Sequence, residues 1–186
     1  MTGVQELPGG SRVARPWRNG GGVTRDILLF PAGAGDETFM WRASLATIAA
    51  AGPFSAWPGV DRTLMLLEGE LAVAIGGAAE RQLCPGDAAI AFAGEAAVAA
   101  RPIGGEGTVL NIMARRDRIR ARLERWTAAR PTEADQLLML AQAVTAISLD
   151  GRTISLERHD ALLLDRTDIA SLESERAVIV AELFNR

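Results

Sequence analysis

All 20 basic residues of this chain are arginine, and two runs that contain them share an uncommon vocabulary of glycine, proline and tryptophan. The first is Arg15-Pro-Trp-Arg-Asn-Gly-Gly-Gly-Val-Thr24. The second is Gly52-Pro-Phe-Ser-Ala-Trp-Pro-Gly-Val-Asp-Arg62. A guanidinium is a permanent cation whose planar fork matches a carboxylate, so the chemistry these runs suggest is recognition of a small anion. Arg62 and Arg42 are the cations that could pair a carboxylate. Trp17 and Phe54 supply apolar walls, while Asn19, Ser44, Ser55 and Asn111 supply directional hydrogen bonds. The backbone amides of Gly20, Gly21 and Gly22 complete the anion site as a nest. Asp61 orients Arg62, bonds the ligand or caps a turn. It is also the single candidate for acid–base work, which needs a titratable group within reach of substrate.

Each residue also has a plainer reading. Arg62 closes the end of a barrel by pairing with Asp61, Glu68 or Glu70. Trp17 and Trp57 pack a core. Asn111 is a satisfied core amide, and the glycines let two strands cross. A nucleotide-binding loop is excluded, because no Lys-Ser/Thr pair follows the glycines.

The elements that must position these residues are short strands. Val23 to Phe30 alternates loosely and ends at Pro31. In Phe39 to Ile48, Trp41, Ala43 and Leu45 point one way and Arg42, Ser44 and Ala46 the other, since a strand has period two. If the polar set faces inward, it lines a pocket. Runs at Thr63–Leu67, Leu71–Ile75, Arg81–Leu83, Ala88–Phe92, Ala96–Arg101 and Thr108–Ala114 are separated by glycine- and proline-bearing turns at even spacing, as in a barrel or sandwich. Ile119, Ala121 and Leu123 alternate with Arg118, Arg120, Arg122 and Glu124. The arginine-rich stretch 115–125 therefore reads as a strand with a solvated face rather than a phosphate-binding patch, with a helix as the alternative to the strand.

With 186 residues, 48% of them hydrophobic, the chain can bury a core without staples. A net charge of −3 does not suit a nucleic-acid binder. Cys84 is the only cysteine, which excludes an internal disulfide and any cysteine metal cluster. It reads as a buried or half-buried thiol. Neither a leader nor a membrane-length apolar run is evident, so a cytoplasmic protein is expected, with no nucleic-acid or membrane partner and with a homodimer compatible with the pattern.

The last third repeats the middle. Thr145 to Leu164 can be laid on Ala72 to Ala91 without a gap, which sets Leu156 on Leu83, Asp160 on Asp87, Ala161 on Ala88 and His159 on Gly86. Strands at Ile169–Leu172 and Ala177–Leu183 then echo the two that end near Ala114. His159, the only histidine, is expected to serve as a turn residue. Two small antiparallel β-barrels packed as one compact unit are indicated, with 12–126 as the main barrel and 127–186 as a degenerate second repeat able to take the N-terminal strands.

Leu67-Glu-Gly-Glu-Leu-Ala-Val-Ala-Ile-Gly-Gly and Leu83-Cys-Pro-Gly-Asp-Ala-Ala-Ile-Ala-Phe-Ala-Gly94 resemble the core of a cupin barrel. Together with Pro-Trp-Arg-Asn-Gly-Gly-Gly, Trp41-Arg-Ala-Ser and Leu110-Asn-Ile-Met-Ala-Arg-Arg116, they resemble the HutD/Ves family over residues 12 to 126. That resemblance implies an all-β bicupin and a link to histidine utilisation. Metal-binding cupins place a His-x-His pair and a Glu in the first motif and a further His in the second. Alignment puts Arg62 at the Glu position, Ala97 at the later His, and the His-x-His pair within Ser55 to Pro58. Every expected ligand is absent, so no metal or other cofactor is expected. The reading is a metal-independent binder of a small anionic metabolite, which the resemblance makes formylglutamate, formiminoglutamate or urocanate, acting as buffer or sensor. The alternatives are a metal-independent isomerase or hydrolase using Asp61, and a structural or partner-binding protein.

Overall fold

The computed structural model describes residues 3–128, 130–149, 151–165, 173–174 and 176–186. They fall into two compact units, Val13–Arg118 and the combination of Met1–Arg12 with Ile119–Arg186. Strands are numbered along the chain. After β1 (Gln5–Leu7), the first unit comprises β2 (Ala14–Pro16), β3 (Gly22–Phe30), β4 (Trp41–Ile48), β5 (Gly52–Pro53), β6 (Val60–Glu68), β7 (Leu71–Ile75), β8 (Arg81–Leu83), β9 (Ile90–Ala93), β10 (Val98–Pro102) and β11 (Gly107–Arg115). They make a six-stranded sheet ordered β2-β3-β4-β11-β6-β9 and a four-stranded sheet ordered β5-β10-β7-β8. Ile48, Leu64 and Leu66 of the larger sheet share a core with Leu71, Val73, Leu83 and Val98 of the smaller.

The second unit comprises β12 (Ile119–Trp126), β13 (Gln136–Ala141), β14 (Thr145–Leu149), β15 (Arg152–Leu156), β16 (Ala161–Asp165), β17 (Glu173–Ser174) and β18 (Val178–Asn185), together with β1. Its sheets are β1-β16-β13-β18-β12 and β15-β14-β17. Leu137, Met139, Leu162, Val178 and Val180 pack there against Ile147, Leu149, Ile154 and Leu156. The protein is all-β, each unit being two sheets over a common core. Among the described residues no hydrogen-bonded strand pair joins the two sheets of either unit. No described helix is long and apolar enough to cross a membrane.

Alternation along β4 sorts its side chains as its sequence predicts. Trp41, Ala43 and Leu45 are buried at 0%, 0% and 5% exposure on one face, and Arg42, Ser44 and Ala46 occupy the other. The repeat is visible in the turns. Cys84 N–H donates to Asp87 Oδ2 at 2.8 Å, and Glu157 N–H donates to Asp160 Oδ2 at 2.9 Å. Each aspartate thus closes the same local turn. Gly86 has φ 104° and His159, at the equivalent place, has φ 70°. Among the described residues, that makes His159 the one non-glycine residue in a left-handed turn position.

Three sequence expectations shift. The first unit ends at Arg118 rather than at 126, because Ile119–Trp126 pairs along its length with β18. The arginine face of that strand is not merely solvated: Arg120 lies over the Phe184 ring at 3.8 Å, and Arg122 bonds the fully buried Glu182. The strand expected at Ile169–Leu172 lies outside the described residues.

Candidate functional site

Rows of side chains across β4, β11 and β6 form the floor of a cavity in the first unit. Arg42, Met113 and Arg62 stand opposite one another in one row, and Ser44, Asn111 and Leu64 in the next. Neighbouring strands lie about 4.8 Å apart, which puts the Cα atoms of Arg42 and Arg62 roughly 10 Å apart. The cavity has a volume of about 710 Å³. Trp17, Asn19, Arg42, Ser44, Phe54, Ser55, Arg62 and Asn111 all line it, so most of the residues read from sequence as one site do meet.

The two arginines are in opposite electrostatic states. Arg42 is tightly held: Nε and Nη2 reach Asp26 Oδ1 at 2.8 and 2.7 Å, and Nη1 reaches Asp36 Oδ1 at 3.4 Å. Arg15 approaches the other Asp26 oxygen at 3.3 Å. This four-residue network has no net charge, and Arg42, expected as a second carboxylate ligand, is already neutralised within it.

Arg62 is only 9% exposed, and among the described residues it has no ion pair. Nε and Nη2 donate to Asn111 Oδ1 at 3.4 and 3.3 Å, and Nη1 to the Ser55 carbonyl at 3.5 Å. These contacts sit at the long end of hydrogen bonding, where about 2.7–3.2 Å is usual for N–H···O. Its guanidinium also faces two rings, with centroids at 4.9 Å for Phe54 and 5.2 Å for Phe92. Burial, and after it the charge of Arg42, pushes the Arg62 pKa down to about 10. The group is therefore still a cation at neutral pH.

Because guanidinium has no acceptor, the Asn111 oxygen must face Arg62, which leaves Nδ2 as the free donor. The Ser44 hydroxyl lies beside it in the same row, buried at 2% exposure. Arg62, Asn111 and Ser44 therefore offer donors at the deep end of the cavity. Such a set suits an anion and repels a metal cation. Among the described residues no group of three or more His, Cys, Asp or Glu side chains could hold a metal ion, and Ala97 is exposed.

The glycine run positions the site rather than contacting it. The Gly20 and Gly21 amides are used internally, on the Trp17 carbonyl at 3.0 Å and on Asn19 Oδ1 at 3.0 Å. A Cβ on Gly22 would collide with the Thr47 carbonyl oxygen and lie 3.1 Å from the Trp17 ring. The run thus lets Trp17 fold over the sheet, where its indole N–H bonds Thr24 Oγ1 at 2.8 Å and its ring meets Phe54 edge-on at 6.4 Å. Gly20, Gly21, Gly22 and Asp61 do not line the cavity. Period two sends Asp61 to the opposite face of β6 from Arg62, where Arg116 Nε bonds it at 2.7 Å. That removes the acid–base candidate from the site.

The sequence reading missed Thr24, Asp26, Asp36 and Phe92. The first two could have been found, since they lie two apart on β3 and so share a face. Asp36 is in a loop with no periodic signal, and Phe92 reaches Arg62 only through the β6–β9 pairing.

The HutD family pattern matches residues 11–181. The chain belongs to the HutD family. The match runs beyond 126, so it takes in the second unit as well as the site. The 21.2 kDa protein in the hutC 3′ region of Pseudomonas putida is 32% identical to it over 192 residues, covering 100% of both chains. The solved HutD of Pseudomonas fluorescens SBW25 has a TM-score of 0.83 at 29% identity, covering 98% of this chain and 99% of that one. A cupin barrel domain protein from Leptotrichia buccalis shares the fold alone, with a TM-score of 0.61 at 8% identity over 100% and 98% of the two chains. The fold is that of the cupins.

Proposed function

We propose that this HutD-family protein is a cytoplasmic, metal-independent binder of a small carboxylate metabolite of histidine breakdown, serving as a buffer or sensor. The observation that carries the reading is the contrast between Arg42, held by two carboxylates, and Arg62, buried among donors with none. A carboxylate entering the cavity would give Arg62 the short, charge-assisted bonds it lacks. The cavity volume is in the range of small-molecule sites. The link to histidine breakdown rests on the family and on the relative in the hutC 3′ region.

The test is thermal-shift and calorimetric titration with formylglutamate, formiminoglutamate and urocanate. A ligand that binds only the folded state raises the melting midpoint by mass action. At least one of the three should raise it, and Arg62→Gln should remove the response. If none shifts the wild type, or if Arg62→Gln responds as the wild type does, the reading fails.

A further inference from the structure

The opposite end of the same cavity is built differently, and this narrows the ligand. Asp36 is the only carboxylate lining the cavity among the described residues. It stands at the mouth, 64% exposed, with Oδ1 on Arg42 and with no bond to Oδ2 among those described. Its loop is fixed. Arg115 Nη2 donates to the Asp36 and Glu37 carbonyls at 3.1 and 2.9 Å, its Nε reaches the Phe39 carbonyl at 3.4 Å, and its guanidinium covers the buried Phe39 ring at 4.9 Å. Gly35 N–H is also bonded to Thr38 Oγ1 at 2.9 Å. Asp36 is therefore a held acceptor rather than a side chain on a slack loop.

Arg42 separates this acceptor from Arg62, and its charge is spent on Asp26 and Asp36. The cavity thus has one uncompensated buried cation, an apolar stretch at Trp17, Phe54 and Trp57, and an acceptor at the mouth. Arg18 also reaches the rim; solvent screens it and Asp36 alike, since both are exposed, and Asp36 is set apart by the hydrogen bonds that hold its loop.

We infer that the cavity selects a polar, two-ended ligand: a carboxylate seated on Arg62, Asn111 and Ser44, joined by a short spacer to a cationic or N–H-donating nitrogen group that meets Asp36. This rests on the carboxylate reading above and adds the second end. It sets the nitrogen group, rather than a lone second carboxylate, against Asp36; formylglutamate and formiminoglutamate carry both groups at that end. The spacer must cover roughly the two-strand separation of the Arg42 and Arg62 row, about 10 Å at most.

The test is calorimetric titration of the full chain with four probes of similar length: butyrate, 4-aminobutyrate, 4-guanidinobutyrate and glutarate. The amino and guanidino acids should bind about tenfold or more tightly than butyrate and glutarate. Asp36→Asn should erase that advantage, and because it leaves the Arg42 network with a net positive charge, butyrate and glutarate affinity should hold or rise. Arg62→Gln should weaken all four. Glutarate binding as tightly as the guanidino acid, or an unchanged ranking in Asp36→Asn, overturns the two-ended ligand while leaving the carboxylate site standing. Failure of every probe to bind wild type, or indifference to Arg62→Gln, overturns both. Asp36 is exposed, and circular dichroism of its variant checks that the fold is retained.

Discussion

Arg62 and Asn111 face each other across β6 and β11, and the arginine gives two of its N–H groups to a single amide oxygen at 3.3 and 3.4 Å. The second unit contains the complementary solution. There Arg122 bonds the buried Glu182 from Nε at 2.6 Å and Nη2 at 2.5 Å, and Thr132 Oγ1 adds a bond at 2.6 Å. Where Arg122 has a carboxylate from its own chain, Arg62 has an amide.

Asn111→Asp should therefore close the first site from within. An internal carboxylate beside Arg62 competes with any external one, and affinity for the carboxylate ligand should fall on the order of 10- to 100-fold. The melting midpoint should hold or rise. Titration calorimetry and thermal unfolding of the same variant separate these effects, and retained affinity would count against Arg62 as the anion's seat.

Asp61→Asn should leave ligand affinity within twofold of wild type, since Asp61 faces Arg116 away from the cavity. A large loss of affinity in a titration would put the site on the wrong face of β6.

Gly22→Ala should destabilise by roughly 1–3 kcal/mol in urea unfolding. The new methyl meets a backbone carbonyl that cannot move aside without disturbing the β3–β4 ladder. Trp17 fluorescence should shift with it, as the indole is displaced from Thr24.

Hydrogen bonds from Arg116 hold the Glu95 carboxyl down at about 2, below its ordinary value of 4.5. A carboxyl lowered in the folded state stabilises above its unfolded pKa, and that contribution is lost as pH falls from about 4.3 toward 2. Glu95→Gln should be slightly less stable than wild type at pH 7. The difference should be mostly lost by about pH 2, vanish below it, and shrink in roughly 1 M salt, because the pair is exposed. Acid titrations followed by circular dichroism read both trends.

Glu182→Gln should cost about 1–3 kcal/mol at neutral pH. Burial works to raise this carboxyl, but the bonds from Arg122 and Thr132 and the charges of Arg122 and Arg130 outweigh it, and the pKa is lowered. The wild-type advantage should accordingly decline as pH drops below about 4.3. An undiminished gap at pH 3 in urea unfolding would contradict this assignment.

What the sequence revealed follows from the range of the interactions involved. Alternation along β4 and the Asp87 and Asp160 turns are local, and they were legible. So was the convergence of Trp17, Phe54 and Arg62, through the two similar runs. The state of Arg42 was not, because Asp26 joins it by strand pairing and Asp36 from a loop. Asp61 was misplaced by treating neighbours in sequence as neighbours in space, when adjacent strand residues point apart. The boundary at 126 erred because β12 chooses its partner, β18, from the far end of the chain.

That far pairing has a counterpart at the start. Gln5 lies opposite Leu163, and Gly9 N–H bonds Asp160 Oδ1 at 2.6 Å. During synthesis the Val13–Arg118 unit is complete once its contiguous stretch has emerged. The other unit must keep its opening strand waiting until β16 and then β18 leave the ribosome. A nascent chain thus passes through a stage with its cavity-bearing unit formed and β1 unclaimed, and that stage is where a slow step or a chaperone would act.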